Sequence, residues 1–146
     1  MNWKAICAGL LASSITLGAS QVFAFEVSGD SFDATFEVTS VLIEDDGSTI
    51  TSVGAAEGYE KVYLTHELET RSASRDSGSF TGQARAIDAK GVLEAASLQG
   101  VWRREGKVIT MYSLDDVSNG RIHLALGTMD LVSGKLQFKV YFKEPK

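Results

Sequence analysis

The residues able to do chemistry in this chain are few, and their scarcity narrows the options. There are two histidines in 146 residues, His66 and His123. His66 falls in the otherwise apolar alternating row Val62, Leu64, His66, Leu68. An imidazole in a greasy interior row can serve as a general base or orient a ligand, because it titrates near neutral pH. It can equally be a core histidine with its nitrogens satisfied. His123 alternates with Ile122 and Leu124, and the expectation is that it faces away from their side. That would put the two imidazoles on opposite faces of a sheet. Glu94 shares the row Val92, Glu94, Ala96, Leu98, Gly100, Trp102, where an apolar setting would raise its pKa and fit it for proton transfer. Its place beside the Lys90-Gly91 turn also suits a solvated strand end. Tyr112, in the row Val108, Thr110, Tyr112, Leu114, completes the candidate catalytic set of His66, Glu94 and Tyr112.

Other chemistries find no support. There is no His-x-His, no paired cysteine and no helical metal motif, so no metal site is expected. Asp115-Asp116 and Glu44-Asp45-Asp46 sit at strand-to-turn junctions without the spaced oxygens of a calcium loop, and read as solvated turns. A Gly-x-Ser-x-Gly elbow and a phosphate-binding glycine loop are both missing. No cofactor is expected. The 14 basic and 19 acidic side chains give a formal net charge of −5, and no basic stripe interleaves with aromatics. This excludes nucleic acid and anionic lipid as electrostatic partners.

The elements that must position these residues are strands. No window carries a capped apolar 3.6-residue period. Period-2 alternation is plain in Leu136, Phe138, Val140, Phe142 against Lys135, Gln137, Lys139, Tyr141, Lys143. Phe32, Ala34, Phe36, Val38 and Leu42 alternate in the same way with Asp33, Thr35, Glu37 and Thr39. Turn signals divide the runs: Asp45-Asp46-Gly47-Ser48, Ala89-Lys90-Gly91, Arg104-Glu105-Gly106-Lys107, Ser118-Asn119-Gly120 and Val132-Ser133-Gly134-Lys135. The reading is about eight strands, near 26–28 or 32–43, 49–54, 60–69, 79–88, 92–103, 107–114, 121–130 and 135–143. Strands this short in simple succession indicate an all-β, antiparallel up-and-down barrel, with a sandwich as the other arrangement. The polar 70–78 stretch is expected to be a mobile loop at the barrel mouth.

The N-terminus is read as a separate unit. Lys4 precedes a charge-free run over residues 5–19, and Val22-Phe23-Ala24 has the small residues of a cleavage site. This is the layout of a secretory signal peptide over residues 1–24, too short for a comfortable transmembrane helix. The expected mature chain, residues 25–146, is one β-barrel domain that is periplasmic or secreted and has no membrane span. Its only cysteine, Cys7, would leave with the leader, so packing and not disulfides must stabilise the domain. The sequence does not specify an oligomeric state.

Three stretches carry a family resemblance: Gly78-Ser79-Phe80-Thr81-Gly82-Gln83-Ala84-Arg85-Ala86-Ile87-Asp88, then Gly100-Val101-Trp102-Arg103-Arg104, then Gly127-Thr128-Met129-Asp130-Leu131-Val132-Ser133-Gly134. Over roughly residues 58–142 the chain resembles the eight-stranded, calycin-like barrels of the allene oxide cyclase and dirigent proteins. The resemblance implies a barrel with an apolar cavity open at one end, serving as a cofactor-free cyclase, a guide for radical coupling or an unassigned exported protein. No positions match the cyclases' functional residues. The mature chain lacks cysteine, and its one asparagine, Asn119, lies in a turn, which counts against allene oxide cyclase activity itself.

Phe32, Phe36, Phe80, Trp102, Tyr112, Phe138 and Phe142 are expected on inner rows, with Gly82, Ala84, Ala86, Ala96 and Gly100 interleaved. Large against small either fills a barrel or leaves a cavity walled by rings. Three functions follow. The first is an exported barrel binding a small apolar or aromatic molecule against Phe36, Phe80, Trp102 and Phe138. The second is a cofactor-free cyclase or isomerase using His66, Glu94 and Tyr112. The third is a structural or partner-binding protein with a filled barrel.

Overall fold

A computed structural model describes residues 27–145; the expected leader lies outside them. Eight strands follow in chain order: β1 (Ser31–Glu44), β2 (Gly47–Ala56), β3 (Tyr59–Thr70), β4 (Ser77–Ile87), β5 (Leu93–Glu105), β6 (Val108–Val117), β7 (Ile122–Asp130) and β8 (Lys135–Lys143). Each pairs antiparallel with its sequence neighbour, and β8 returns to β1 to close the barrel. The all-β up-and-down barrel expected from the alternation is therefore the observed fold. Closure leaves each strand paired on both sides, which satisfies the backbone and removes the edges of an open sheet.

One exception follows from a bulge. Between Val38 and Ser40 the β1–β2 register shifts by a residue. The β1–β8 ladder stops at Glu37–Lys135, with Val38 N–H donating to Gly134 O just beyond it. The rest of β1 pairs with β2 alone among the described residues, and both of its faces are open to solvent. Leu42 is 59% and Ile43 76% exposed, so Leu42 does not continue the inner row of Phe32, Ala34, Phe36 and Val38 as its spacing suggested.

Tight turns set the register elsewhere. Glu105 pairs with Val108, so β5 and β6 are joined by Gly106-Lys107 alone, with Gly106 at φ 57°. That register faces Ile109, Met111, Ser113, Asp115 and Val117 inward. Val108, Thr110, Tyr112 and Leu114 face out, which reverses the expected orientation of β6. Tyr112 is 41% exposed. It pairs with Val101 and Leu126 across the outer surface, an apolar cross-strand cluster that mimics an inner row in sequence.

The two ends of the barrel differ. At one end, reached by the turns at 45–46, 71–76, 106–107 and 131–134, Leu68, Phe80, Trp102, Ile109, Met111, Met129 and Leu136 are all buried. Trp102 Nε1–H donates to Glu69 O (3.2 Å) and Ser79 O (3.1 Å), which satisfies its polar edge inside this plug. The 70–78 stretch lies at this filled end and not at a mouth, and Ser72 Oγ accepts from the N–H groups of Asp76 (3.1 Å) and Ser77 (3.2 Å). The other end carries the turns at 57–58, 88–92 and 118–121.

Candidate functional site

The inner rows thin out towards that second end. Ala34, Ala56, Ala84, Ala86, Ala96 and Ala125 replace the rings and long aliphatics of the plug, and a cavity of about 100 Å³ remains. One water needs roughly 10–15 Å³ of such space, so this is room for a compact organic group. The interior is thus filled at one end and hollow at the other.

Phe32, Phe36, Tyr59 and Phe138 form the aromatic part of the cavity wall, the ring centroids of Phe36 and Phe138 lying 6.2 Å apart and edge to face. Phe138 lies over Gly127: a Cβ there would come within 2.2 Å of its ring, so only glycine at 127 lets the ring lie flat against β7. Phe80 and Trp102, the other two rings expected at a ligand, do not line the cavity. They belong to the plug beneath it, because β4 and β5 present them beyond Gly82 and Leu98, on the far side of the cavity floor.

His66 sits in that floor. Its inward row is as expected, and it is only 2% exposed. The ring stacks on Phe138 (6.1 Å, 14°) and meets the edge of Phe80 (5.5 Å, 69°). Nδ1 is buried without a hydrogen-bond partner. Burial lowers its pKa to about 4, so the imidazole is neutral at pH 7. The expectation of a core histidine with satisfied nitrogens is not met.

His123 lines the same cavity, contrary to its expected opposite placement. On β7 the inward row is His123, Ala125, Gly127 and Met129, while Ile122 and Leu124 face out. The apolar residues of this strand are on its outer face, so alternation alone pointed the wrong way. His123 packs edge-on to Phe32 (5.8 Å), and its Nε2 is also buried without a partner. Burial, then the nearby Arg121 charge, lower its pKa.

Directly across the ladder from His123 is Asp115. It was read as a solvated turn residue. It is instead a cavity residue, 7% exposed, whose Oδ1 accepts from Ser113 Oγ two positions back on the same face. Desolvation raises its pKa to about 6, against the opposing effect of the Ser113 hydrogen bond. The sequence held one signal for it. Ser113, Asp115 and Val117 continue the row Ile109, Met111, and only the register of the Gly106 hairpin shows that this row is the inner one.

At the rim, Glu94 is half-buried, and its Oε2 accepts hydrogen bonds from Tyr59 Oη–H and Asn119 Nδ2–H (2.9 Å). Both readings of Glu94 are partly met: it is on the inner row, at the strand end. Burial, then the Glu94 hydrogen bond, push the Tyr59 phenol up to about 12, which keeps it a donor. Tyr59 thus takes the place at the cavity expected of Tyr112, which lies on the outside. Arg121 stands nearby with its guanidinium 5.3 Å from the Phe142 ring and paired to Glu144 (2.7 Å).

Among the described residues, no group of three or more histidine, cysteine, aspartate or glutamate side chains could hold a metal ion. The cavity therefore offers an apolar wall, two neutral imidazoles, one buried acid and a hydrogen-bonded carboxylate at its rim. Comparison of the chain with family models, with curated proteins and with solved structures returns no match.

Proposed function

We propose that this barrel holds one small, largely apolar molecule in its hollow half, and that it does so after export. The observation that carries the reading is the cavity itself: about 100 Å³, walled by aromatic rings and a set of alanines. Protein interiors are normally close-packed, so a void of this size is expensive unless a ligand fills it. The allene oxide cyclase and dirigent resemblance is consistent with the closed eight-stranded architecture and bears on the fold alone.

The test is a titration with 2-phenylethanol followed by amide NMR, on the wild type and on Ala96→Phe, which places a ring in the cavity. Saturable shifts at His123, Ala125 and Val140 in the wild type, absent in the variant, are expected. Shifts on the outer face only, or equal shifts in both proteins, would refute the reading.

A second reading, a cofactor-free isomerase or cyclase, is favoured by Asp115. A buried carboxyl with a pKa near 6, opposite a neutral imidazole, is suited to handing a proton back and forth near neutral pH. In this reading Asp115 and His123 take the acid–base roles expected of His66, Glu94 and Tyr112, with Glu94 positioning the rim.

A further inference from the structure

The charged residues that line the cavity are all of one sign. Its lining residues include two carboxylates, Asp115 and Glu94, and neither lysine nor arginine. Asp115 makes no ion pair among the described residues; its hydrogen-bond partner is the neutral Ser113. A buried carboxylate without a counter-ion is costly, and charged groups inside proteins are ordinarily paired. Arg121, whose charge reaches Tyr59 and His123 at the rim, is engaged by two hydrogen bonds to Glu144 (2.7 and 3.1 Å). The His66 and His123 rings also line this space. Phe32, Phe36, Tyr59 and Phe138 supply ring faces around it.

Resting on the reading of the cavity as a ligand site, we propose that its ligand is an organic cation: a small amine on an aromatic or compact aliphatic body, with its ammonium group paired to Asp115. An ammonium carries three donors and no acceptor, which suits a carboxylate whose hydrogen-bond partner is a neutral hydroxyl. Its apolar body meets the alanine and phenylalanine wall, and the ring faces attract its charge. A carboxylate ligand of the same size faces Asp115 and Glu94 with nothing to offset the repulsion. The polar and titratable groups that share the cavity with Asp115 are Ser113 on β6, His123 on β7, Glu94 on β5, and Tyr59 and His66 on β3, and across the ladder Asp115 is paired with His123. Burial keeps His66 neutral between pH 7 and 5 and lowers the pKa of His123. Amine affinity therefore falls as the pH drops through about 6, where Asp115 takes up its proton.

The experiment compares three probes of one shape by calorimetry at pH 7.5: 2-phenylethylamine, 2-phenylethanol and phenylacetate. With the wild type the amine is expected to bind at least about tenfold more tightly than the alcohol, and phenylacetate not to saturate, since a hydrogen bond to a charged group contributes about 1.5–3 kcal/mol. In Asp115→Asn the amine advantage disappears while the alcohol stays within about threefold. The wild-type comparison needs no variant, so a poorly folding substitution does not remove the test. Equal binding of amine and alcohol, or an amine advantage that survives Asp115→Asn, overturns the cation assignment and leaves the cavity reading standing. Failure of all three probes to bind the wild type overturns both.

Discussion

The plugged end and the hollow end of this barrel are made by the same eight strands, and they obey different rules. In the plug, Phe80, Met111, Met129 and Leu136 are almost wholly buried, and the one polar edge, Trp102 Nε1–H, reaches two carbonyl oxygens. In the hollow end, alanines leave space, and two imidazole nitrogens have no partner. The difference shows where stability and where chemistry reside. Polar groups left unsatisfied in a folded interior weaken it; of the three among the described residues, Ser52 Oγ, His66 Nδ1 and His123 Nε2, two belong to rings that line the cavity.

The sharpest way to break this comparison is to truncate the plug. Phe80→Ala should lower stability by about 3–5 kcal/mol, measured by urea unfolding, because its ring is enclosed on all sides and the site cannot collapse. A loss under 1 kcal/mol would mean that the plug is not the stabilising core.

Next in size is a pH effect confined to the hollow end. His66 has its pKa lowered in the folded state, so its contribution to stability is complete above pH 6.5 and is lost as the pH falls towards about 4. Asp115 has its pKa raised, so its contribution is complete below its unfolded value of 3.8 and is lost as the pH rises through about 6. Each shift is worth on the order of 3 kcal/mol, and between pH 4 and 6 the two slopes oppose one another. Wild-type stability should change less over that window than the histidines alone would make it, His123 adding to the His66 slope. Asp115→Asn should expose the histidine slope, losing at least about 2–3 kcal/mol on acidification from pH 6.5 to 4 in denaturant titrations. A variant no steeper than the wild type would show that these groups are not buried as described.

The smallest effect has the opposite sign. His66→Leu removes an unpartnered buried nitrogen and should raise stability by about 1 kcal/mol, read from the same unfolding curves. If it destabilised instead, His66 would be a structural residue and the contrast between the two ends would lose its basis.

Much of this architecture is legible in the sequence. Val62, Leu64, His66, Leu68 on β3 and Leu136, Phe138, Val140 on β8 face inward as their alternation requires. Both strands have charged or polar outer residues, so the two faces differ in chemistry. Glu94 was found for the same reason. Asp115, His123 and Tyr59 were not, and Tyr112 was misplaced, because β6 and β7 carry apolar residues on their outer faces. There Tyr112, Leu114, Ile122 and Leu124 are partly exposed, and period 2 gives the spacing of a row without saying which row is inside.

By itself, then, the sequence determined the secondary structure, the strand succession and the closed antiparallel barrel, because alternation and turn chemistry are local properties of the chain. Only the tertiary structure decided which end is filled, which face of β6 and β7 is inner, and that Asp115 and His123 meet across the ladder. Those outcomes depend on hairpin register and on contacts between strands distant in sequence, and a one-residue change of register reverses every side chain it governs.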